Sequence, residues 1–281
     1  MLFFEEFDGG NYRETAQSIA KKAEEKFKSP AFLIAGSSSM KTNAEALLAG
    51  FEDIIGEQAN VFGGMAGDDF SFSEQFVFTS DHESNDGMVA IALDEEMITV
   101  KGRATCGWNA VGTPKTVTKS EGSHVYTVDD VPVLELTRKF SGLDIRSRDT
   151  VEVAIQIATS LPLQLQREKG DPVMRPGIFV NFDDGSFICS GTVPQGSKVR
   201  FSLPPDFDVM EKVIKRLEEL KATEMPEADA LVVFSCAGRI MSFGPMMNME
   251  IENIGKVWNV PMAGMFSMAE LGRANNGLLF F

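Results

Sequence analysis

Phe234-Ser235-Cys236-Ala237-Gly238-Arg239 decides the reading of this chain, because it is one half of an internal echo. The apolar run Ala230-Leu231-Val232-Val233-Phe234 feeds a loop of small residues, a helical pattern follows, and Asn259-Val260-Pro261-Met262-Ala263-Gly264-Met265 closes the unit. Far upstream the same plan appears. Ala31-Phe32-Leu33-Ile34-Ala35 feeds Gly36-Ser37-Ser38-Ser39, a helical pattern follows, and Asn60-Val61-Phe62-Gly63-Gly64-Met65-Ala66-Gly67-Asp68-Asp69 closes it. Phe51-Glu52-Asp53-Ile54 aligns with Ile251-Glu252-Asn253-Ile254. Each copy reads as strand, glycine-containing loop, helix, strand. Two related units predict loops that face a shared cleft at the ends of parallel strands, a common place for ligands.

The bulk properties narrow the classes of function. A chain of 281 residues can bury a sizeable core in one or two domains. A formal net charge of -15 argues against nucleic acid and anionic membranes as partners. The densest basic stretch, Arg138-Lys139 through Arg146 and Arg148, is broken by apolar and acidic residues. Cys106, Cys189 and Cys236 are widely spaced, with no CxxC pair, which predicts neither a zinc knuckle nor a thioredoxin-like site, and an odd, sparse set fits a reducing compartment. No stretch approaches the ~18 consecutive apolar residues of a membrane span. Met1-Leu2-Phe3-Phe4 lacks a basic region before it and soon meets Glu5-Glu6, unlike a signal peptide. These features predict a cytoplasmic protein.

Between the two copies the periodicity changes. Asn11 to Lys28 repeats apolar residues at helical spacing. Thr42 or Asn43 is placed to cap the helix of the first copy. Gln75 to Thr79, Met88 to Leu93, Met97 to Val100, Lys115 to Thr118 and Val125 to Val128 read as short strands of an antiparallel meander. Val131 to Phe140 and Val151 to Ser160 read as helices. Asp183-Asp184-Gly185 joins two strands as a hairpin, and Lys198 to Leu203 is a further strand. After Pro204-Pro205, Asp206 or Asp208 is placed to cap a helix with an apolar stripe from Met210 to Leu220. The predicted fold is mixed α/β: two strand-helix-strand repeats flanking an antiparallel meander. The predicted domains are residues 1–145 and 146–281.

Three clusters are candidates for chemistry. Gly63, Gly64 and Gly67 let the backbone come close to another group, and Asp68 and Asp69 follow. Free amides there would hold an anion, and the aspartates an ammonium or a metal. The alternative is a tight turn leaving a buried strand. Ser235, Cys236 and Arg239 sit between a buried strand and a helix; Arg239 suits a carboxylate. Cys236 reads as a nucleophile or, more simply, as a small space-filler. Glu250 and Glu270 lie in largely apolar surroundings and need partners, Arg239 being the natural one. This is a structural salt bridge or a ligand clamp. His82 and His124 have no companions at metal-ligand spacing. No recognised catalytic motif is present, so no catalytic residue, metal or cofactor is predicted.

These residues carry a resemblance. The stretch Ala59 to Asp69, with Phe76-Val77-Phe78 and Met88 to Leu93, resembles the FIST N domain. Phe234 to Arg239, Glu250, Pro261 to Glu270 and Asn275 resemble the FIST C domain. Leu161-Pro162-Leu163, Arg175 and Gly191 to Ser197 resemble the family between them. The resemblance implies an intracellular sensory module that binds a small molecule, such as an amino acid, and signals through a protein partner. Some family members bind haem. It also implies a short or N-terminally trimmed member, since the family's upstream Gly-Cys-Ser-Thr-like motif has no counterpart here. A homodimer is among the assemblies this reading allows. The competing readings are an enzyme using Asp68, Asp69, Glu250 or Glu270 in acid-base roles, and a scaffold docking a partner through Met246 to Met249.

Overall fold

The computed structural model describes every residue except 38–42, 59, 70–72, 106, 144, 146–148, 168–171, 205–206, 275–276 and 281. Ser38, Ser39, Thr42, Cys106, Asp206, Asn275 and Arg146 and Arg148 of the interrupted basic stretch therefore lie outside the described residues. The chain forms two compact units, Met1–Thr105 with Met210–Phe280, and Cys106–Val209.

The first unit opens with β1 (Leu2–Glu6), α1 (Tyr12–Glu24), β2 (Pro30–Gly36), α2 (Ala44–Ile55) and β3 (Val61–Met65). Short strands β4 (Val77–Phe78) and β5 (Glu83–Ser84) pair with each other before β6 (Gly87–Asp94). Strands β2 and β3 are parallel, and β6 runs antiparallel between β1 and β2. The expected meander is thus divided, because β6 joins the first repeat's sheet. Residues Met97 to Val100 form no strand. The Met97 and Ile98 amides turn back onto the Asp94 carbonyl, and the Val100 carbonyl accepts from the buried Asn60 amide at 3.1 Å.

Helices α1 and α2 cover one face of this sheet. Ile19, Ala20, Phe32, Leu47, Phe51 and Met88 lie in one buried cluster. The helices cross at Gly50, where an added Cβ would stand 2.3 Å from the Arg13 carbonyl oxygen. Asn43 caps α2 by accepting the Ala46 amide at 3.0 Å, as its position predicted.

The chain then builds the second unit from β7 (Asn109–Glu121), β8 (His124–Val128), β9 (Val131–Pro132), α3 (Val133–Ser141) and α4 (Thr150–Ser160). It continues through β10 (Leu163–Leu165), β11 (Val173–Arg175), β12 (Gly177–Asn181), β13 (Ser186–Cys189) and β14 (Lys198–Leu203). Its strands form one antiparallel sheet in the order β11-β10-β14-β7-β8-β13-β12, with β9 on β8. The β12–β13 hairpin forms over Asp183-Asp184-Gly185, Gly185 taking φ +71°. Val117, Val153, Ile157, Phe187 and Phe201 make a separate core under α3 and α4.

The chain returns along α5 (Phe207–Thr223) to β15 (Leu231–Cys236), α6 (Ala237–Phe243), α7 (Met247–Trp258) and β16 (Met262–Ser267). Asp208 lies inside the first turn of α5. Strands β15 and β16 pair in parallel, as β2 and β3 do, but two helices, α6 and α7, stand between them where the first copy has α2 alone. Both copies place a glycine on the third rung of the parallel pair. Gly63 faces Ile34 and Gly264 faces Val233, and an added Cβ would meet the partner's carbonyl oxygen at 2.1 and 2.0 Å. Cover differs between the copies. β2 is mostly buried, while Val232 of β15 is 51% exposed and Phe266 of β16 is 42% exposed. The expectation that β15 is a buried strand fails, because this sheet has only two strands. Finally β17 (Ala269–Ala274) pairs antiparallel with β3, and β18 (Gly277–Phe280) pairs with β17.

Candidate functional site

The site is built where β16 passes into β17. The Met268 amide donates to the Met65 carbonyl at 2.9 Å, bringing the chain onto the end of β3. Register then sets Glu270 opposite Gly64. A Cβ at Gly64 would stand 2.7 Å from the Ser267 Cβ and 3.2 Å from a Phe234 ring carbon. A bare backbone at position 64 is what lets the first repeat's closing strand lie against the ends of β15 and β16. Gly67 does the same against Met268, 2.5 Å from a hypothetical Cβ.

Cys236 ends β15 directly across from Ser267. The Ser267 hydroxyl donates to a Glu270 carboxyl oxygen at 2.7 Å, and the Cys236 thiol donates to the same carboxyl group. Glu270 is half-buried. Burial pushes its pKa up to about 8, against the opposing pull of those two hydrogen bonds and of the Arg239 charge. Burial likewise pushes the Cys236 thiol well above its usual range, and the neighbouring Glu270 charge adds to the rise. A nucleophilic cysteine needs its thiolate, so this sulfur serves as a hydrogen-bond donor instead.

Arg239 lies one turn into α6 and is buried. Its Nε donates to Glu250 at 3.0 Å and its Nη2 to the other carboxylate oxygen, in a two-point pair. Glu250, on the first turn of α7, is 2% exposed. The guanidinium also lies 5.0 Å from the centre of the Phe243 ring. Of the two partners foreseen for Arg239, the structure selects Glu250.

The structure therefore brings together Gly64, Cys236, Arg239, Glu250 and Glu270, while Ser235 is opposite Phe266 in the β15–β16 register, on the other face from Cys236. Gly63 is spent on Ile34 within the sheet. Asp68 accepts the Ser73 amide at 2.9 Å, inside its own loop, and Asp69 is exposed. Ser267 had escaped the sequence reading. Only the parallel register, which sets it opposite Cys236, reveals it.

Other candidates lie elsewhere. His82 stacks on Phe4 at 5.3 Å, and His124 Nε2 meets the Ser186 hydroxyl at 2.7 Å. Among the described residues, no group of three or more His, Cys, Asp or Glu side chains is placed to hold a metal ion. Met247 is buried while Met249 is 54% exposed, so the methionine-rich stretch does not present one face. A shallow cleft lined by Glu218, Lys221, Lys256 and Val257 lies between α5 and α7, away from this cluster.

Comparison with family models identifies the class: residues 3–131 match the FIST N domain and residues 143–273 match the FIST C domain. The chain belongs to the FIST family. FIST domains are generally regarded as sensory domains in signalling proteins. No curated protein and no solved structure matches the chain. No helix among the described residues is long and apolar enough to cross a membrane.

Proposed function

We propose that this chain is a cytoplasmic sensory module that binds a small molecule of the amino-acid class at the ends of β15 and β16 and passes the signal to a protein partner. The observation that carries this reading is Glu270. It is a half-buried carboxyl at strand ends, contacted by a hydroxyl and a thiol rather than by a structural cation. Arg239 contributes positive potential beside it while its fork holds Glu250. The exposed Ile240, Met241 and Met249, on the helices that carry Arg239 and Glu250, support a partner contact close to the site.

The test is a thermal-shift screen of amino acids, small carboxylates, amines and alcohols on the full chain and on Glu270→Gln. The reading expects at least one compound to raise the melting temperature of the wild type, with a smaller rise in the variant. A wild type whose melting temperature no compound moves would refute it.

A further inference from the structure

Resting on the reading above, we infer that Glu270 selects the ligand by charge: it takes a primary ammonium as counter-ion and releases its own proton to solvent as the ammonium binds.

The two hydrogen-bond donors to the Glu270 carboxyl, Ser267 and Cys236, are neutral. Among the described residues Glu270 forms no ion pair, and the nearby guanidinium is forked onto Glu250. The charged groups facing it can be followed element by element. β15 brings Cys236, α6 brings Arg239 and α7 brings Glu250, while β3 and β16 bring no titratable side chain. Asp68, after β3, turns to the Ser73 amide. Arg239 is held by Glu250 in a two-point pair, so it reaches Glu270 as nearby positive potential and not as a partner, and Glu270 is left without an ion pair among the described residues.

Without an ion-pair partner such a carboxyl is harder to ionise than in water, because burial penalises its charged form. The displacement of its pKa to about 8 agrees with that geometry. A ligand that brings a positive charge reverses the balance: the O–H bond breaks, the proton leaves to water, and the carboxylate accepts N–H donors. An anion gains nothing here, since it meets either a neutral acid or a like charge. Guanidinium is also disfavoured. It grips both carboxylate oxygens along one edge, and Oε1 is already engaged by Ser267. An ammonium is a compact charge with three rotatable donors, and it suits a carboxylate with one oxygen partly used.

The probe is n-butylammonium, titrated calorimetrically into the full chain in buffers of different ionisation enthalpy, with n-butylguanidinium, n-butanol and butyrate alongside. Affinity is expected to rise by about tenfold per pH unit from roughly pH 6 to roughly pH 8 and then to level off, with one proton released per ligand below that plateau. Glu270→Gln should abolish the proton release and weaken binding by about tenfold or more. Ser267→Ala removes a bond that favours the carboxylate, so the midpoint of the pH profile should move upward; a merely structural role would leave that midpoint in place. A pH-independent affinity, or butylguanidinium or butyrate binding as tightly as butylammonium, would overturn the inference. If a neutral or anionic compound from the screen stabilises wild type and Glu270→Gln alike, the inference falls while the sensory reading stands. If neither the screen nor butylammonium gives any signal, both fall.

Discussion

At the residue scale the site depends on what one glycine leaves out and on one buried pair. Gly64→Ala would force a methyl group to within 2.7 Å of Ser267, which has strand on both sides of it and little room to retreat. Overpacking of this kind costs about 1–3 kcal/mol. The expected result is a lower denaturation midpoint together with loss of the ligand response, because Ser267 is the donor that fixes Glu270. Arg239→Ala is expected to be more damaging. It strands a carboxylate that is 2% exposed, and breaking a buried pair from one side costs about 3–5 kcal/mol. Replacing both partners, as in Arg239→Met with Glu250→Leu, should recover most of that loss. Urea denaturation of both single variants and the double variant measures the coupling. These effects were only partly legible in the sequence. A carboxylate near Arg239 was foreseeable, because charges in apolar stretches must pair. The choice of Glu250 over Glu270 was not, since it depends on how α6 and α7 fold back on each other across the turn at Gly244-Pro245-Met246.

Among elements, the two repeats show what a pattern of residues carries and where it stops. The paired strands were readable in both copies, because the apolar runs and the residues that end them are local signals, but the division of the second helical stretch into α6 and α7 was not. The pairing of β6 with β2 and of β17 with β3 was not readable, because antiparallel neighbours are chosen by surface complementarity over long separations. Likewise, nothing in Val232 or Phe266 distinguishes a strand of a two-stranded sheet from one at the centre of a larger sheet. The echoed asparagines have diverged in the same way. Asn60 is buried and donates to Glu95 and to the Val100 carbonyl, whereas Asn259 closes α7 in the left-handed conformation at φ 57°. A prediction at this scale concerns the crossing of α1 and α2. Gly50→Leu places a side chain where the Arg13 carbonyl and the Ala16 methyl already stand, at 2.3 and 2.7 Å from the Cβ position. The helices must separate, so amide exchange in both should quicken while exchange in α3 and α4, which belong to the other core, stays unchanged.

For the whole molecule, Glu270 and Asp53 give stability a dependence on pH with opposite signs. Glu270 titrates near 8 in the folded protein and near the ordinary glutamate value when unfolded. Between those values the folded state binds the extra proton, so this group's contribution falls as pH rises through the window and is level above it. Glu270→Gln should flatten that decline. Asp53 behaves conversely. Bonds from Arg13 and Gln17 hold it at about 2, so its contribution is full above the ordinary aspartate range and is lost as the solution is acidified toward 2. Thermal melts of wild type, Glu270→Gln and Asp53→Asn across that range separate the two terms.

The interleaving of the two compact units also bears on how the polypeptide is made. The second unit is continuous in the chain, whereas the first needs β17 to close the edge of β3, and β17 emerges from the ribosome only after the whole second unit has been synthesised. During that interval β3 presents an open backbone edge, the kind of surface that recruits other strands or a holding chaperone. Stalled nascent chains that end before Met262 should therefore protect residues 109–203 from proteolysis while leaving Val61–Met65 accessible, and the arrival of β17 completes a sheet begun at the other end of the chain.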